Sequence, residues 1–368
     1  MRLKDIDLIH FRNYDHLYLE LNPHINIFIG KNGMGKTNLL ESIYVLAITK
    51  SHRMLGDNHL IQQDSNGFRI VGNLETLDGE KQLEVKITKT SKNIKVNDQL
   101  YHRISSYISN LNILIFCPDD LDIIKGSPGI RRKFLNVEIS QLFPQYLRDL
   151  NEYRKILNQR NEYLKTIQRS QKKDVVYFQI LNRRFMDIAL RLYQYRKRFI
   201  EELNQQIAPL YEGITGLENL HLVYRTSVDL SQAEEEVQKE FEIKLSEREE
   251  KEIVLGTTLL GPHRDDFSFF LGKNDLKSYG SQGQQRLAII TLKLAEIELF
   301  QTYTHELPIL LLDDIFSELD SSKVGNLIQF IKNDIQVIIT TTELNHLEKQ
   351  LIEDASVFKI QEGTVEKQ

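Results

Sequence analysis

A single cysteine, Cys117, stands in 368 residues, so an internal disulfide is excluded. The ten histidines are scattered and, with one cysteine, offer no zinc-ligand spacing, which excludes a structural zinc. Long apolar runs are missing as well. The longest clean ones are strand-sized, such as Ile309 to Leu312, against the roughly 18 residues a bilayer span requires. Met1-Arg2-Leu3-Lys4-Asp5 lacks the apolar core of a signal peptide, so a cytoplasmic protein with no membrane association is expected. Charge of one sign is not in excess either: 47 Lys+Arg face 52 Asp+Glu, which excludes a uniformly basic nucleic-acid coat and confines any basic surface to a local patch. There is no internal repeat and no long low-complexity tract. What remains is a globular chain long enough for two or three lobes.

Against these absences one segment stands out. Gly30-Lys31-Asn32-Gly33-Met34-Gly35-Lys36-Thr37 is a complete G-x-x-x-x-G-K-T loop, preceded by the apolar run Ile25 to Ile29 and followed, from Asn38 to Ile48, by a helix-like stretch. The glycines let successive backbone N–H groups curl around a β-phosphate at a helix N-terminus, where an anion is already favoured. Lys36 reaches the β- and γ-phosphates and Thr37 offers its hydroxyl to Mg²⁺. The loop and its Asn38 boundary therefore predict a nucleoside triphosphate site, with ATP and Mg²⁺ as the cofactors.

Far downstream, Pro308-Ile309-Leu310-Leu311-Leu312-Asp313-Asp314 reads as a buried strand ending in two carboxylates. This is the Walker B pattern, in which the first Asp holds Mg²⁺ beside the phosphate loop. With Lys36, Asp313 and Asp314 form the expected catalytic set, and Thr37 with Asp313 the expected metal ligands. The two halves lie 277 positions apart, more than an ordinary P-loop sheet needs, so the nucleotide domain is split by an insertion.

The intervening chain changes character. Residues 68–97 alternate in short runs around the hairpin signal Asp78-Gly79, predicting an antiparallel meander, and Leu111 to Phe116 reads as a buried strand. From Gln141 to about Gln206, Leu150, Leu157 and Leu164 recur at seven-residue spacing and the pattern resumes after Ser170-Gln171-Lys172-Lys173, predicting two antiparallel helices too short for a long coiled coil. A strand pattern returns from His221 to Val228, and Ala233 to Lys251 is acidic and helix-prone. Residues 148–204 carry 14 basic against 7 acidic groups, whereas 229–252 carry 4 against 10. Interleaved with Tyr153, Tyr163, Tyr177, Tyr193 and Tyr195, the basic stretch is read as a DNA footprint, with Arg196, Lys197 and Arg198 as its contacts. The expected division is residues 1–140, an inserted helical lobe at 141–252, and a return to the ATPase head at 253–368.

A third motif sets the class. Ser281-Gln282-Gly283-Gln284-Gln285-Arg286, opening a helical pattern, resembles the signature motif of ATP-binding-cassette ATPases, with Gln282 in place of the usual glycine. Ser317-Glu318-Leu319-Asp320 resembles the D-loop that follows the Walker B. Together with Phe11-Arg12-Asn13-Tyr14, Pro118-Asp119-Asp120-Leu121, Lys125-Gly126-Ser127-Pro128, Arg131-Arg132 and Gly261-Pro262-His263-Arg264-Asp265-Asp266, these segments resemble, end to end, the RecF family of bacterial recombination mediators related to SMC proteins. The resemblance implies an α/β, ABC/SMC-like P-loop ATPase head, a mixed sheet with helices plus the meander, carrying an inserted helical lobe. It implies an ATP-dependent homodimer in which Ser281, Gly283 and Gln284 of one molecule complete the ATP site of the other, Asp320 crosses the interface, and Arg12 approaches the nucleotide. It further implies binding at gapped or single-stranded/double-stranded DNA, RecA loading with RecO and RecR, and support of replication restart and the SOS response. Asp314 stands where most cassettes use Glu, and Thr340-Thr341-Thr342 where a switch His would be, so slow, DNA-stimulated hydrolysis is expected. No Q-loop glutamine is found; Asp119 and Asp120 occupy that place. A transporter's cassette subunit is the alternative, disfavoured by the basic helical insertion and the missing His, and a P-loop kinase leaves the Ser281 motif unexplained.

Overall fold

The computed structural model describes residues 1–53, 56–317, 334–347 and 349–368. The chain forms two compact units, residues 1–120 with 289–368, and residues 121–288. The second unit thus opens about twenty residues before the expected break at 140 and closes well beyond 252, because its first long helix packs against the strand that begins at Asp266 and shares one core with it.

The first unit holds two sheets. One is antiparallel, β2-β1-β4-β5-β6-β7, built from β1 (Arg2–Phe11), β2 (Tyr14–Glu20), β4 (Gly67–Thr76), β5 (Gly79–Thr88), β6 (Lys92–Val96) and β7 (Gln99–Leu100). In β1 Ile6 and Leu8 are buried while Asp5 and Asp7 are only partly so, the period-two pattern of a sheet with one wet face, and a register shift between Leu3 and Asp5 lets Leu3 be buried as well. The other sheet runs β15-β14-β3-β13-β12-β8, from β3 (Ile25–Ile29), β8 (Ile113–Phe116), β12 (Ile309–Asp313), β13 (Val337–Thr341), β14 (Ala355–Gln361) and β15 (Thr364–Lys367). All its pairings are parallel except β14 with β15. Buried on both faces, β8 and β12 read as unbroken apolar runs rather than alternating ones.

Helix α1 (Lys36–Ile48) contacts strands of both sheets, so every residue from Leu39 to Ile48 is buried. That explains its lack of an amphipathic stripe: a helix covered on all sides is apolar on all sides. Its last turn closes on Thr49, at φ 61°, whose carbonyl accepts from the Lys92 ammonium, a cation placed where the helix dipole is negative.

The second unit comprises a short helix α2 (Asp122–Lys125), α3 (Pro128–Leu142), α4 (Pro144–Ser170), α5 (Val175–Thr215), α6 (Glu234–Glu247), α7 (Glu249–Leu255), α8 (Leu276–Tyr279) and the start of α9 (Gln282–Thr304). A small antiparallel sheet, β11-β10-β9, is made of β9 (Leu220–Arg225), β10 (Asp266–Leu271) and β11 (Asn274–Asp275). The expected helical pair is α4 and α5, joined by residues 171–174, with Gln171 in the left-handed region and the Asp174 carboxylate accepting the Tyr177 N–H at the N-cap. The buried stripe of α4 is Tyr146, Leu150, Tyr153, Ile156, Arg160, Leu164 and Ile167, a 3.6-residue period in which the leucine heptad is only a part. Phe134 of α3, Phe199 of α5 and Phe267 of β10 meet in the core.

Candidate nucleotide site

The phosphate loop leaves β3 and enters α1, and the carboxylate strand β12 lies two strands away across β13. Parallel order brings the C-terminal ends of all three together, the place where open α/β sheets bind ligands. There the Thr37 hydroxyl donates to Asp313 Oδ1 at 3.0 Å, joining residues 276 positions apart. Thr340 of β13 donates to the same oxygen at 2.6 Å, and the Asp314 N–H meets both the Thr340 carbonyl (3.2 Å) and hydroxyl (3.1 Å). Asp314 adopts φ 50°, a left-handed conformation that takes the chain out of β12 at once.

Lys36 is almost wholly buried, its ammonium donating to the Gly30 carbonyl at 2.6 Å and the Lys31 carbonyl at 3.2 Å. Burial pushes its pKa below the ordinary lysine value, against the negative fields of Asp314 and Asp313. Burial likewise pushes the Asp313 carboxyl up, opposed by the Thr340 and Thr37 hydroxyls and the charge of Arg53. A triphosphate with a divalent cation would reverse both pressures, supplying anions to Lys36 and positive charge to Asp313. At Gly35 the geometry demands glycine: φ is 114°, and a Cβ would fall 2.5 Å from Asn13 Nδ2 and 2.9 Å from the Tyr14 hydroxyl. The Tyr14 hydroxyl donates to the Gly35 carbonyl (3.0 Å), and Asn13, which accepts from Asn38 (2.7 Å), donates to the Met34 carbonyl (3.4 Å). The turn between β1 and β2 is thus stitched to the loop.

The donor set fits Mg²⁺: hydroxyl and carboxylate oxygens are hard ligands, and one carboxylate with phosphate and water oxygens is how Mg²⁺ is usually held. No cluster of three or more His, Cys, Asp or Glu suited to a metal occurs among the described residues.

Arg12, at φ 57°, grips the buried Glu41 of α1 through Nε (2.9 Å) and Nη2 (3.1 Å) and the His59 carbonyl through Nη1 (2.8 Å). Ser51 donates to Glu41 Oε1, the oxygen that also accepts Arg12 Nη2, at 2.5 Å and accepts the Arg53 N–H. Burial alone would push Glu41 up; the Arg12 fork and Ser51 outweigh it and hold it below the usual carboxylate range. Glu41 and Arg53, whose Nη1 reaches Asn38 Oδ1 at 3.4 Å, were not singled out from the sequence. The signal was present: Glu41 is the one charged residue between Lys36 and Lys50, and a carboxylate inside an apolar helix requires a partner.

The signature segment lies in the second unit. Ser281 and Gln284 form a reciprocal capping box at the start of α9: the Ser281 hydroxyl accepts the Gln284 N–H (3.2 Å), and Gln284 Oε1 accepts the Ser281 N–H (2.9 Å). Ser281 and Gln282 are exposed. Asp120 closes a turn by accepting the Cys117 N–H at 2.9 Å. Of the D-loop, Glu318, Leu319 and Asp320 lie outside the described residues.

The expected DNA footprint is corrected at Arg196, Tyr153 and Tyr193. Arg196 is buried and fully engaged, donating to the Tyr146 hydroxyl (3.0 Å), the Pro262 carbonyl (2.6 Å) and Asn136 Oδ1 (3.1 Å), with Asp265 at 3.7 Å. Lys197 donates to the Leu230 carbonyl at 2.6 Å, and the exposed Arg198 pairs with Glu202 at 2.9 Å. Tyr153 and Tyr193 are core residues. Consecutive helical positions point about 100° apart, so with Arg196 turned into the core the three side chains do not share one face.

Residues 2–366 match the family model described as RecF/RecN/SMC N terminal domain. A "DNA replication and repair protein RecF" of Listeria monocytogenes is 42% identical over 369 residues, covering 100% of both chains. The protein of the same name from Staphylococcus carnosus is 42% identical over 368 residues, covering 99% of this chain and 100% of its own. A solved structure of "the recombination mediator protein RecF-ATP in RecFOR pathway" superposes with a TM-score of 0.93 at 31% identity, covering 100% of this chain and 97% of that one. An Smc head bound to the C-winged helix domain of ScpA, at 13% identity and TM-score 0.55 over 100% of this chain and 98% of that one, shares the fold.

Proposed function

This chain belongs to the RecF/RecN/SMC N-terminal domain family and, within it, to the RecF proteins, and from that premise we propose that it is an ATP-driven DNA-binding switch of replication and recombinational repair. The observation that carries the reading is the Thr37–Asp313 contact, which assembles a phosphate loop and a carboxylate strand from opposite ends of the sequence. ATP is the nucleotide held by the related mediator, and Lys36, whose ammonium now rests on the Gly30 carbonyl of the loop, would take its β- and γ-phosphates here. Thr37 and Asp313 would hold Mg²⁺, which would offset charge developing on the phosphates.

Asp314 orients the attacking water, and its short side chain, with Thr340-Thr341-Thr342 where a switch His would stand, makes turnover slow. Two molecules close on two ATP, Ser281 and Gly283 of each capping the other's γ-phosphate. Gly283 supports this reading: among the described residues outside its own helix backbone a Cβ there would have only the Ser281 hydroxyl, 4.0 Å away, for company. Glycine in a helix costs about 1 kcal/mol relative to alanine, so its presence where no described neighbour requires it suits close approach by an outside group. ATP binding closes the dimer on gapped DNA and hydrolysis releases it, with RecO and RecR as partners in RecA loading. No described helix is long and apolar enough to cross a membrane, in keeping with a cytoplasmic site of action.

The transporter-subunit reading finds no support among relatives that are DNA replication and repair proteins. The test is ATPase turnover with a gapped duplex or with detergent-solubilised membrane protein added. Stimulation by the duplex alone is expected; stimulation by membrane protein alone would overturn the assignment.

A further inference from the structure

The segment 261–266 of the second unit is held rigidly from several sides. Gly261 has φ 125°, and a Cβ there would lie 2.6 Å from the Tyr153 hydroxyl. Arg196 holds the Pro262 carbonyl, and the Tyr224 hydroxyl donates to Asp265 at 2.7 Å. Asp266 receives the Arg131 fork at 2.5 and 2.9 Å. Every carboxylate of the segment therefore has a partner.

Two further guanidinium groups sit on this frame. Arg132 of α3 donates Nη1 to the Asp265 carbonyl at 2.8 Å, and Arg264, the preceding residue of the segment, donates Nε and Nη2 to the Thr258 carbonyl at 3.3 and 3.1 Å. Both use a minority of their five donors, on neutral acceptors. Among the described residues neither has a carboxylate at ion-pair distance, although the chain has more acids than bases. Arg264 is exposed and Arg132 partly so. Burial lowers the Arg132 pKa, and the charges of Arg196 and Arg264 push the same way against Asp266 and Asp265. Two like charges anchored on one frame, each in the other's field and with open donors, are relieved by an external anion, and the arginine fork matches phosphate oxygens.

We propose that Arg132 and Arg264 form a clamp for phosphates of a nucleic-acid backbone, a contact that the buried Arg196 does not make. The proposal rests on the DNA reading above. Because backbone and core bonds fix both cations, the clamp suits a ligand whose charges repeat at set intervals, as phosphodiesters do, more than a pliant acidic peptide.

The experiment titrates a fluorescein-labelled gapped duplex across salt concentrations, with a non-hydrolysable ATP analogue, for the parent, Arg132→Gln/Arg264→Gln, Arg132→Lys/Arg264→Lys and Lys197→Gln/Arg198→Gln. Each phosphate contact contributes roughly 0.9 to the salt slope, so the Arg-to-Gln pair should flatten it by about two units while nucleotide affinity and the melting profile stay as in the parent. The Arg-to-Lys pair should keep most of the slope, and the 197/198 pair all of it. A parental slope in the Arg-to-Gln pair overturns the clamp and leaves the DNA reading standing. Absence of duplex binding by the parent overturns both. Unchanged duplex binding with lost binding of polyglutamate would assign the pair to an acidic protein and likewise overturn the proposal.

Discussion

Replacing Arg160 with Met isolates what the basic helical stretch contributes. In the native chain the Arg160 guanidinium is wholly buried, donating to Glu252 Oε2 (2.6 Å), Thr258 Oγ1 (2.7 Å) and Asn182 Oδ1 (2.8 Å), between the Phe178 and Phe185 rings at 5.3 and 5.4 Å. Glu252 is equally buried and its other oxygen accepts the Leu259 N–H at 2.6 Å. Methionine fills much of the aliphatic volume but leaves the carboxylate desolvated with one donor, and breaking a buried pair from one side costs about 3–5 kcal/mol. For a unit of this size that lowers Tm by roughly 6–20 °C. The double replacement Arg160→Met/Glu252→Leu removes both charges and should recover more than half of the loss, since the penalty lies in the orphaned charge rather than in the absent attraction. Calorimetry on the four members of the cycle measures this. A single variant within about 1 kcal/mol of the parent, or a double variant as destabilised as the sum of the singles, would refute the reasoning.

Four further outcomes are expected. Lys36→Met should abolish useful ATP binding in an equilibrium titration, because no other described side chain in the loop offers a buried cation to the phosphates; parental affinity would contradict the site. Asp314→Asn should retain ATP yet hydrolyse it at least tenfold more slowly, so that the closed dimer accumulates, and an unchanged single-turnover rate would remove Asp314 from the chemistry. Ser281→Arg should bind ATP as a monomer without dimerising, since its own pocket is untouched. His263, donating Nε2–H to Thr258 and accepting from Tyr153 at Nδ1, is pushed down to about 4 by burial, with the charges of Arg264, Arg132 and Arg160 adding. The unfolded chain therefore binds the extra proton first as pH falls from about 6.5 to 4, and stability drops by up to about 1.4 kcal/mol per pH unit in that window. Denaturant titrations of His263→Gln across those pH values should lack this component.

The parts of the fold that read directly from the sequence are those where local chemistry and tertiary role coincide. Gly30 to Thr37 and Leu310 to Asp314 are such segments, because a phosphate loop and a doubly buried parallel strand each demand their residue types whatever surrounds them. The meander, the helical pair and the β9 strand were legible for the same reason. The basic triplet misled because composition counts charges without regard to direction: Arg196 and Arg198 lie two positions apart on α5 and face opposite environments, one the core and one solvent. The unit boundary was obscured because α3 carries no break in pattern where it joins the core shared with β10. Arg12 showed the limit in another way: its neighbour across the fold, Glu41, is 29 positions distant, and a bidentate pair of that separation leaves no periodic trace.

Sedimentation velocity of the chain with saturating Mg²⁺-ATP, with and without gapped duplex, tests the central claim most directly. The account predicts a monomer without nucleotide, a dimer with ATP, and a larger ATP-dependent complex when the duplex is present, with Ser281→Arg remaining a monomer throughout. A sedimentation coefficient that ignores ATP, both free and on DNA, would contradict it.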